Sequence, residues 1–433
     1  MRKFLMSMVA LVALLVGSYA IRGSEPLERR GSPQVVATPV SPARLDEVDR
    51  LIRVFEERVA NNDDALNQWT LGAHYLDRAS ITGAVGDYRS ARDILDEARR
   101  TNAGNPRVDI PLAAARLGLH DFSGAIELLE AHLLDPSALA IFGDASLGYG
   151  EIDDARSSFE RLLRIAPDDP AVTVRAASLE WATGNREAAI HLAQEAAGQA
   201  QEAGLDGRLL SFYLTHTGHL LFESGRFDEA LPFLQEAVEL DPTFVSPKIE
   251  LAHVLAARGD VAAGVRLLEE VLSHGPNADA AVVLGDLYAL SGDAGAAERS
   301  YRVLDEVAAD APIPYRRALS LFLSNHDRDP SRALRLAEED LQARHDSGAF
   351  DALAWALYRN GRFVEARDMS EKALQLGTSD PAARFHAGLI SFALGEPDRA
   401  ASEVALALEL NPFFNPLLAE DARSIIEGKS DMP

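Results

Sequence analysis

A glycine followed five residues later by an alanine recurs along this chain, at intervals of about 34 residues. The pairs are Gly86/Ala91, Gly150/Ala155, Gly184/Ala189, Gly225/Ala230, Gly292/Ala297, Gly361/Ala366 and Gly395/Ala400, with Gly264 replacing the alanine after Gly259. Gly150 to Gly184, Gly225 to Gly259 and Gly361 to Gly395 each span 34 residues. A period of that length is one helix-turn-helix unit, which cannot bury its apolar face alone and must stack on its neighbours. The 433 residues therefore predict one array of about ten units, not a set of independently cored domains.

The turns set the register. Gly86-Asp87-Tyr88, Gly150-Glu151-Ile152, Gly225-Arg226-Phe227, Gly259-Asp260-Val261 and Gly361-Arg362-Phe363 share one logic. Glycine permits the positive φ that closes a helix, a polar residue follows, and an apolar residue starts the next helix by packing inward. Three departures stand out. Gly184 to Gly225 is 41 residues, with Gln194 to Ala203 supplying the extra turns; the unit from His120 to Gly150 is four residues short; and Asp327-Arg328-Asp329-Pro330 forms a turn without glycine. Pro232 is expected near its helix start, where no hydrogen bond would be lost.

The amino terminus has a different composition. Arg2 and Lys3 precede an apolar run from Phe4 to Val16, followed by Gly17, Ser18, Tyr19 and Ala20. Residues 1–20 read as a cleaved secretory signal peptide, with Ile21 as the first mature residue, or, from Phe4 to Ile21, as an uncleaved anchor. Both readings place the rest of the chain outside the cytoplasm, periplasmic or secreted; a cytosolic adaptor is the remaining reading. Residues 21–41, with Pro26, Pro33 and Pro39, read as a disordered linker, and residues 42–62 as a capping helix with Leu45, Val48, Leu51, Ile52, Phe55 and Val59 on one face. The array occupies residues 63–412, and residues 413–433 hold a second capping helix, begun at Asn415 and ended at Gly428, with a tail.

The units resemble the tetratricopeptide repeat family. One shows Leu284, Gly285, Tyr288, Gly292, Ala297 and Tyr301; another Thr217, Gly218, Gly225, Phe227, Ala230, Leu234, Ala237 and Pro242. Leu71, Gly72, Tyr75, Gly86, Tyr88, Ala91 and Ala98 form a first unit, and Gly388, Gly395, Ala400, Ala407 and Pro412 a last one, so the resemblance covers residues 65 to 412. It implies an all-α fold, a right-handed α-solenoid of about ten two-helix repeats with capping helices at both ends, in which the first helix of each unit lines a concave groove that binds protein or peptide partners. Carried over by register, the groove positions include Asp144, Ser178, His219, His253, Asp286, Trp355 and Leu389, then Trp181, Phe222, Tyr358 and Phe392, with Phe385 one step earlier. The partner-binding expectation centres on Trp181, His219, Phe222, His253, Asp286, Trp355, Tyr358, Phe385 and Phe392, because rings give large contact area at small entropic cost.

Composition narrows the partners. With 67 acidic against 42 basic residues the formal charge is −25, which repels phosphate backbones and anionic lipid, so no nucleic acid is expected and membrane contact only through an uncleaved amino-terminal segment. Cysteine is absent, which removes disulfides, thiolate metal sites and thiol catalysis. No phosphate-binding glycine loop, His-Glu-x-x-His or Gly-x-Ser-x-Gly occurs, and the array leaves no stretch for a catalytic domain. The expectation is a scaffold without cofactor, metal or catalytic residues that assembles an envelope complex. A metal- or small-molecule-carrying solenoid is the alternative. His216, His219 and His253 lie on neighbouring first helices, but Asp286 is one unit too far from His219 to complete a site.

Overall fold

The computed structural model describes residues 42–62, 64–307 and 313–427. The expected signal or anchor segment, the expected linker and Gly428 lie outside the described residues. Among those described there are 22 α-helices, one short 3-10 turn and no strand. None of the helices is long and apolar enough to cross a membrane.

Helix α1 (Pro42–Asn61) stands alone and ten pairs follow. These are α2 (Ala65–Thr82) with α3 (Val85–Thr101), α4 (Pro106–Gly118) with α5 (Phe122–Leu129), α6 (Pro136–Tyr149) with α7 (Ile152–Ile165), α8 (Pro170–Ala182) with α9 (Arg186–Glu202), and α10 (Gly207–Glu223) with α11 (Phe227–Leu240). Then come α12 (Val245–Ala257) with α13 (Val261–Ser273), α14 (Ala278–Leu290) with α15 (Ala294–Val307), α16 (Ile313–Asn325) with α17 (Pro330–Ala343), α18 (Ser347–Arg359) with α19 (Phe363–Gln375), and α20 (Pro381–Ala393) with α21 (Pro397–Leu410). Helix α22 (Leu418–Ile426) closes the series; Asn415 Oδ1 accepts the Leu417 and Leu418 amides at its start, each at 3.0 Å. The fold is an all-α solenoid.

Nine of the ten turns within pairs are built from one hydrogen bond, in which the residue after the turn position donates its amide to a carbonyl five residues back. Asp121 donates to Arg116, Glu151 to Ser146, Asn185 to Glu180, Arg226 to Leu221, Asp260 to Leu255, Asp293 to Tyr288, Arg328 to Leu323, Arg362 to Leu357 and Glu396 to Ser391. This is the Schellman closure, which satisfies a helix-end carbonyl that would otherwise be orphaned. Its turn residue needs positive φ. Glycine supplies it seven times, while His120 (φ 59°) and Asp327 (φ 52°) supply it as strained non-glycine residues. The turn without glycine is thus the same turn.

Three expectations are corrected. The first pair turns at Gly83 (φ 70°), whose amide bonds Ala79, while Gly86 lies inside α3. The Gly86 register matched because Tyr88 and Ala91 still face inward, both buried. Pro232 is the sixth residue of α11, so it does remove a bond, the one its amide would have given to the Asp228 carbonyl. Finally, the longer spacing before Gly225 is shared, since α9 and α10 each run to 17 residues. The short unit is as expected: α5 has only 8 residues before the 3-10 turn Glu130–His132.

The described chain divides into two compact units, an N-terminal one of residues 42–179 with 198–209 and a C-terminal one of residues 180–197 with 210–427. In the N-terminal unit Val48 and Ile52 of α1 pack on Leu71 of α2, capping a core that includes Leu76, Tyr88, Leu95, Leu112 and Phe122. In the C-terminal unit a continuous core from Ala278 onward takes in Trp355, Tyr358 and Phe385 and ends on Leu418 and Ala422 of α22. Within pairs the helices approach closely because small residues meet large ones. Gly218 faces Leu234, and Gly285 lies flat against the ring of Tyr301, which a Cβ there would overlap. Ala155, Ala189, Ala230, Ala366 and Ala400 are fully buried, and Ala297 nearly so.

Candidate functional site

Successive first helices touch one another, α2 with α4, α4 with α6, α12 with α14, α16 with α18 and α18 with α20. In each unit the first helices therefore lie on the inside of the curve. They bury most of their length, as at Ala138–Gly148 of α6, while second helices bury a stripe, as at Ala155, Ser158, Phe159 and Leu162 of α7.

Neighbouring first helices are joined by pairs of polar side chains, each with a carboxylate on one side. Asp144 of α6 receives Arg175 of α8. His219 Nδ1 of α10 lies 3.4 Å from Glu250 Oε2 of α12, His326 Nε2, just past α16, is 2.7 Å from Asp286 Oδ1 of α14, and His386 Nδ1 of α20 is 3.0 Å from Asp351 Oδ1 of α18. Asp286 also accepts the Tyr301 hydroxyl at 2.8 Å. In the same unit Arg317 of α16 bridges Asp340 and Asp346 at 2.9 and 2.7 Å. Burial lowers the His216 ring to about 3, with His219 adding to the shift.

The expected site residues fall into this wall. Trp355 stacks on His386 (4.3 Å between ring centres, 12°) and on Tyr358 (4.9 Å, 10°), gives its indole N–H to Asn325 at 2.8 Å, and carries Arg359 over its face at 5.0 Å. Phe385 packs against Phe414 at 5.6 Å. Burial raises the Tyr358 hydroxyl, against the lowering effect of Arg359. Phe222 lies 5.6 Å from His253 and 5.5 Å from Phe227. Trp181 is half-buried beneath Arg186, and Phe392 is 37% exposed. The structure thus brings Trp355, Tyr358 and Phe385 into one cluster, joins Phe222 to His253, and leaves Phe392 at the surface. Leu389 belongs to the same core as Trp355, and Ser178 is turned back onto the Val174 carbonyl at 3.0 Å.

Register reasoning missed the partners: Arg175, His326, Asp351, His386 and Asn325. A signal was present, since Arg175 stands in the otherwise apolar run Ala171 to Ala177, broken only by Thr173, and such a charge needs an acid. Among the described residues no group of three or more His, Asp or Glu is placed to hold a metal ion.

A paired-helix scaffold with one repeated turn and first helices inside each curve defines the class, an α-solenoid. The tetratricopeptide repeat family matches residues 221–281 in one form and residues 142–204 and 352–413 in another. The chain carries tetratricopeptide repeats over these residues. No curated protein matches it. Among solved structures it is similar to the Cut9–Hcn1 hetero-tetramer of the APC/C (TM-score 0.34, 13% identity, 89% of this chain and 94% of that one). It is also similar to yeast Tom70 (0.38, 16%, 90% and 95%) and to MamA (0.31, 19%, 38% and 92%). Repeats of this family are typically non-catalytic scaffolds for protein contacts.

Proposed function

We propose that this protein is an exported scaffold that holds a protein or peptide segment along the inner face of its first helices and assembles an envelope complex. The observation that carries the binding reading is the ten-pair array with its first helices on the inside of each unit's curve. Export rests on the amino-terminal sequence alone, basic residues followed by an apolar run and small residues at Ser18 and Ala20. The acidic balance favours a partner segment carrying Lys or Arg. Trp355, Tyr358 and Phe385 build the wall, and Phe392 is the ring left to meet a partner.

A photo-crosslinking residue at position 392, introduced in the native host, tests this. The reading expects one dominant partner captured there and weakened capture by Phe392→Ala with helicity unchanged. Capture only from a probe at Leu134, which is 95% exposed, would move the binding surface off α20. Fractionation of the host cell decides export, since intact Met1 on cytoplasmic protein would overturn it.

A further inference from the structure

In the C-terminal unit, residues far apart in sequence meet at two places. The α8–α9 turn meets the α19–α20 connection. Ser379 Oγ donates to the Gly184 carbonyl at 3.1 Å, and a Cβ on Gly184 would overlap the Gly377 carbonyl oxygen. The α10–α11 turn meets the segment after α21. Asn411 Nδ2 donates to the Phe222 carbonyl at 2.9 Å, both groups buried, and Pro412 Cδ would lie 3.2 Å from a Cβ on Gly225. Arg186 joins the two contacts, donating to the Glu223 carbonyl at 2.5 Å and the Leu410 carbonyl at 3.2 Å. Each contact is five helix pairs apart, pair four with nine and pair five with ten.

We propose that these contacts form a clasp that closes the C-terminal unit on itself, so that the unit is a ring with one seam and opens there. The bonds are chosen for closure rather than for local folding. The Phe222 and Leu410 carbonyls are helix-end acceptors that local structure leaves with spare capacity, and side chains from five pairs away (Asn411) and six pairs away (Arg186) fill it. Gly184 and Gly377 let two backbones touch with no side chain between them. A ring of stacked repeats without such a seam is held only by nearest-neighbour contacts, whose small variations accumulate along the array. The clasp removes that freedom. The consequence for partners rests on the preceding reading: a segment lying along the inner face enters where the seam parts.

The chain has no cysteine, so spin labels placed at Glu187→Cys and Glu409→Cys, both exposed positions beside the seam, report it alone. Electron-electron distance measurement on the full chain without any partner is expected to give one narrow distribution. Asn411→Ala with Arg186→Ala should lengthen and broaden it while far-ultraviolet dichroism stays unchanged. Gly184→Ala should do the same, whereas Gly292→Ala, which imposes the same positive-φ strain (83° against 84°) but meets nothing within 4 Å, should leave it narrow. A broad distribution in the parent, or equal effects of the two glycine substitutions, overturns the clasp. Because no partner enters the measurement, either result leaves the groove reading to its own test.

Discussion

Asp144 and Arg175, 31 residues apart, meet as a two-pronged ion pair in the N-terminal unit, Nε to Oδ1 at 2.9 Å and Nη2 to Oδ2 at 2.8 Å. Their side chains are 6% and 1% exposed. Burial still raises the Asp144 carboxyl above its ordinary value, and Arg175 only offsets part of that. The pair is costly to desolvate and costlier to break. Arg175→Leu is expected to destabilise the N-terminal unit by about 3–5 kcal/mol, because it strands a buried carboxylate. Adding Asp144→Leu should recover most of the loss. Urea melts of the single and double variants check this, and a double variant as weak as the single one would show that the arginine acts through packing alone.

Packing within pairs makes a second prediction. Ala230 and Ala297 are 0% and 3% exposed on helices pressed against their partners. A leucine at either position must overpack and should cost roughly 1–3 kcal/mol. Gly285→Ala is the sharper probe, since its Cβ would enter the Tyr301 ring, whose hydroxyl is tied to Asp286 at 2.8 Å. It is expected to cost as much as Ala297→Leu despite adding a single methyl. Unchanged urea midpoints would mean that the pairs are looser than this contact requires.

The array was legible because its signal is local and repeated. A helix stop is encoded by one glycine and the two residues after it, so Gly150, Gly225 and Gly361 announce their turns without tertiary help. Where another residue takes the glycine position, as at His120 and Asp327, sequence shows only a gap. Two glycines three residues apart, Gly83 and Gly86, misplace the first turn because either is chemically suited to it. The candidate residues were legible as positions on first helices but not in partnership. The register placed Trp355 and Asp286 on first helices, yet that Trp355 stacks on His386 and Asp286 holds His326 depends on the rotation of one repeat against the next. The seam contacts, such as Asn411 with Phe222, join residues 189 apart and leave no trace in a 34-residue period.

Asp327 carries a removable strain. It is exposed, its φ is 52°, and it occupies the turn position that glycine holds in seven of the other turns. Asp327→Gly relieves roughly 1 kcal/mol or more of left-handed strain, against about 0.5–1 kcal/mol of added backbone entropy in the unfolded chain. The expected outcome is a modest gain in stability, up to about 1 kcal/mol. Asp329, also at positive φ (36°), should behave oppositely, because its side chain caps α17 by accepting the Arg332 amide at 3.0 Å. Asp329→Gly is expected to destabilise. Urea midpoints of the two variants falling on the same side of the parent would contradict this account.

His216 makes folding depend on pH. Its ring is 4% exposed, stacked 6.4 Å from Phe212, and held near a pKa of about 3 by burial and then by the neighbouring His219, against an ordinary value of 6.5. Between those values the unfolded chain binds a proton that the folded chain refuses. Stability from this group is therefore intact above pH 6.5 and is lost progressively as pH falls toward 3. From pH 7 to pH 5.5 the loss is roughly 1 kcal/mol, and it then grows by about 1.4 kcal/mol for each further unit. His216→Phe keeps an aromatic ring beside Phe212 and removes the proton. Urea melts at pH 7 and pH 5.5 should show a smaller acid loss in the variant than in the parent, the difference being that same roughly 1 kcal/mol. Parallel losses in both proteins would mean that the folded chain binds the His216 proton as readily as the unfolded chain does, and that burial does not hold the ring neutral.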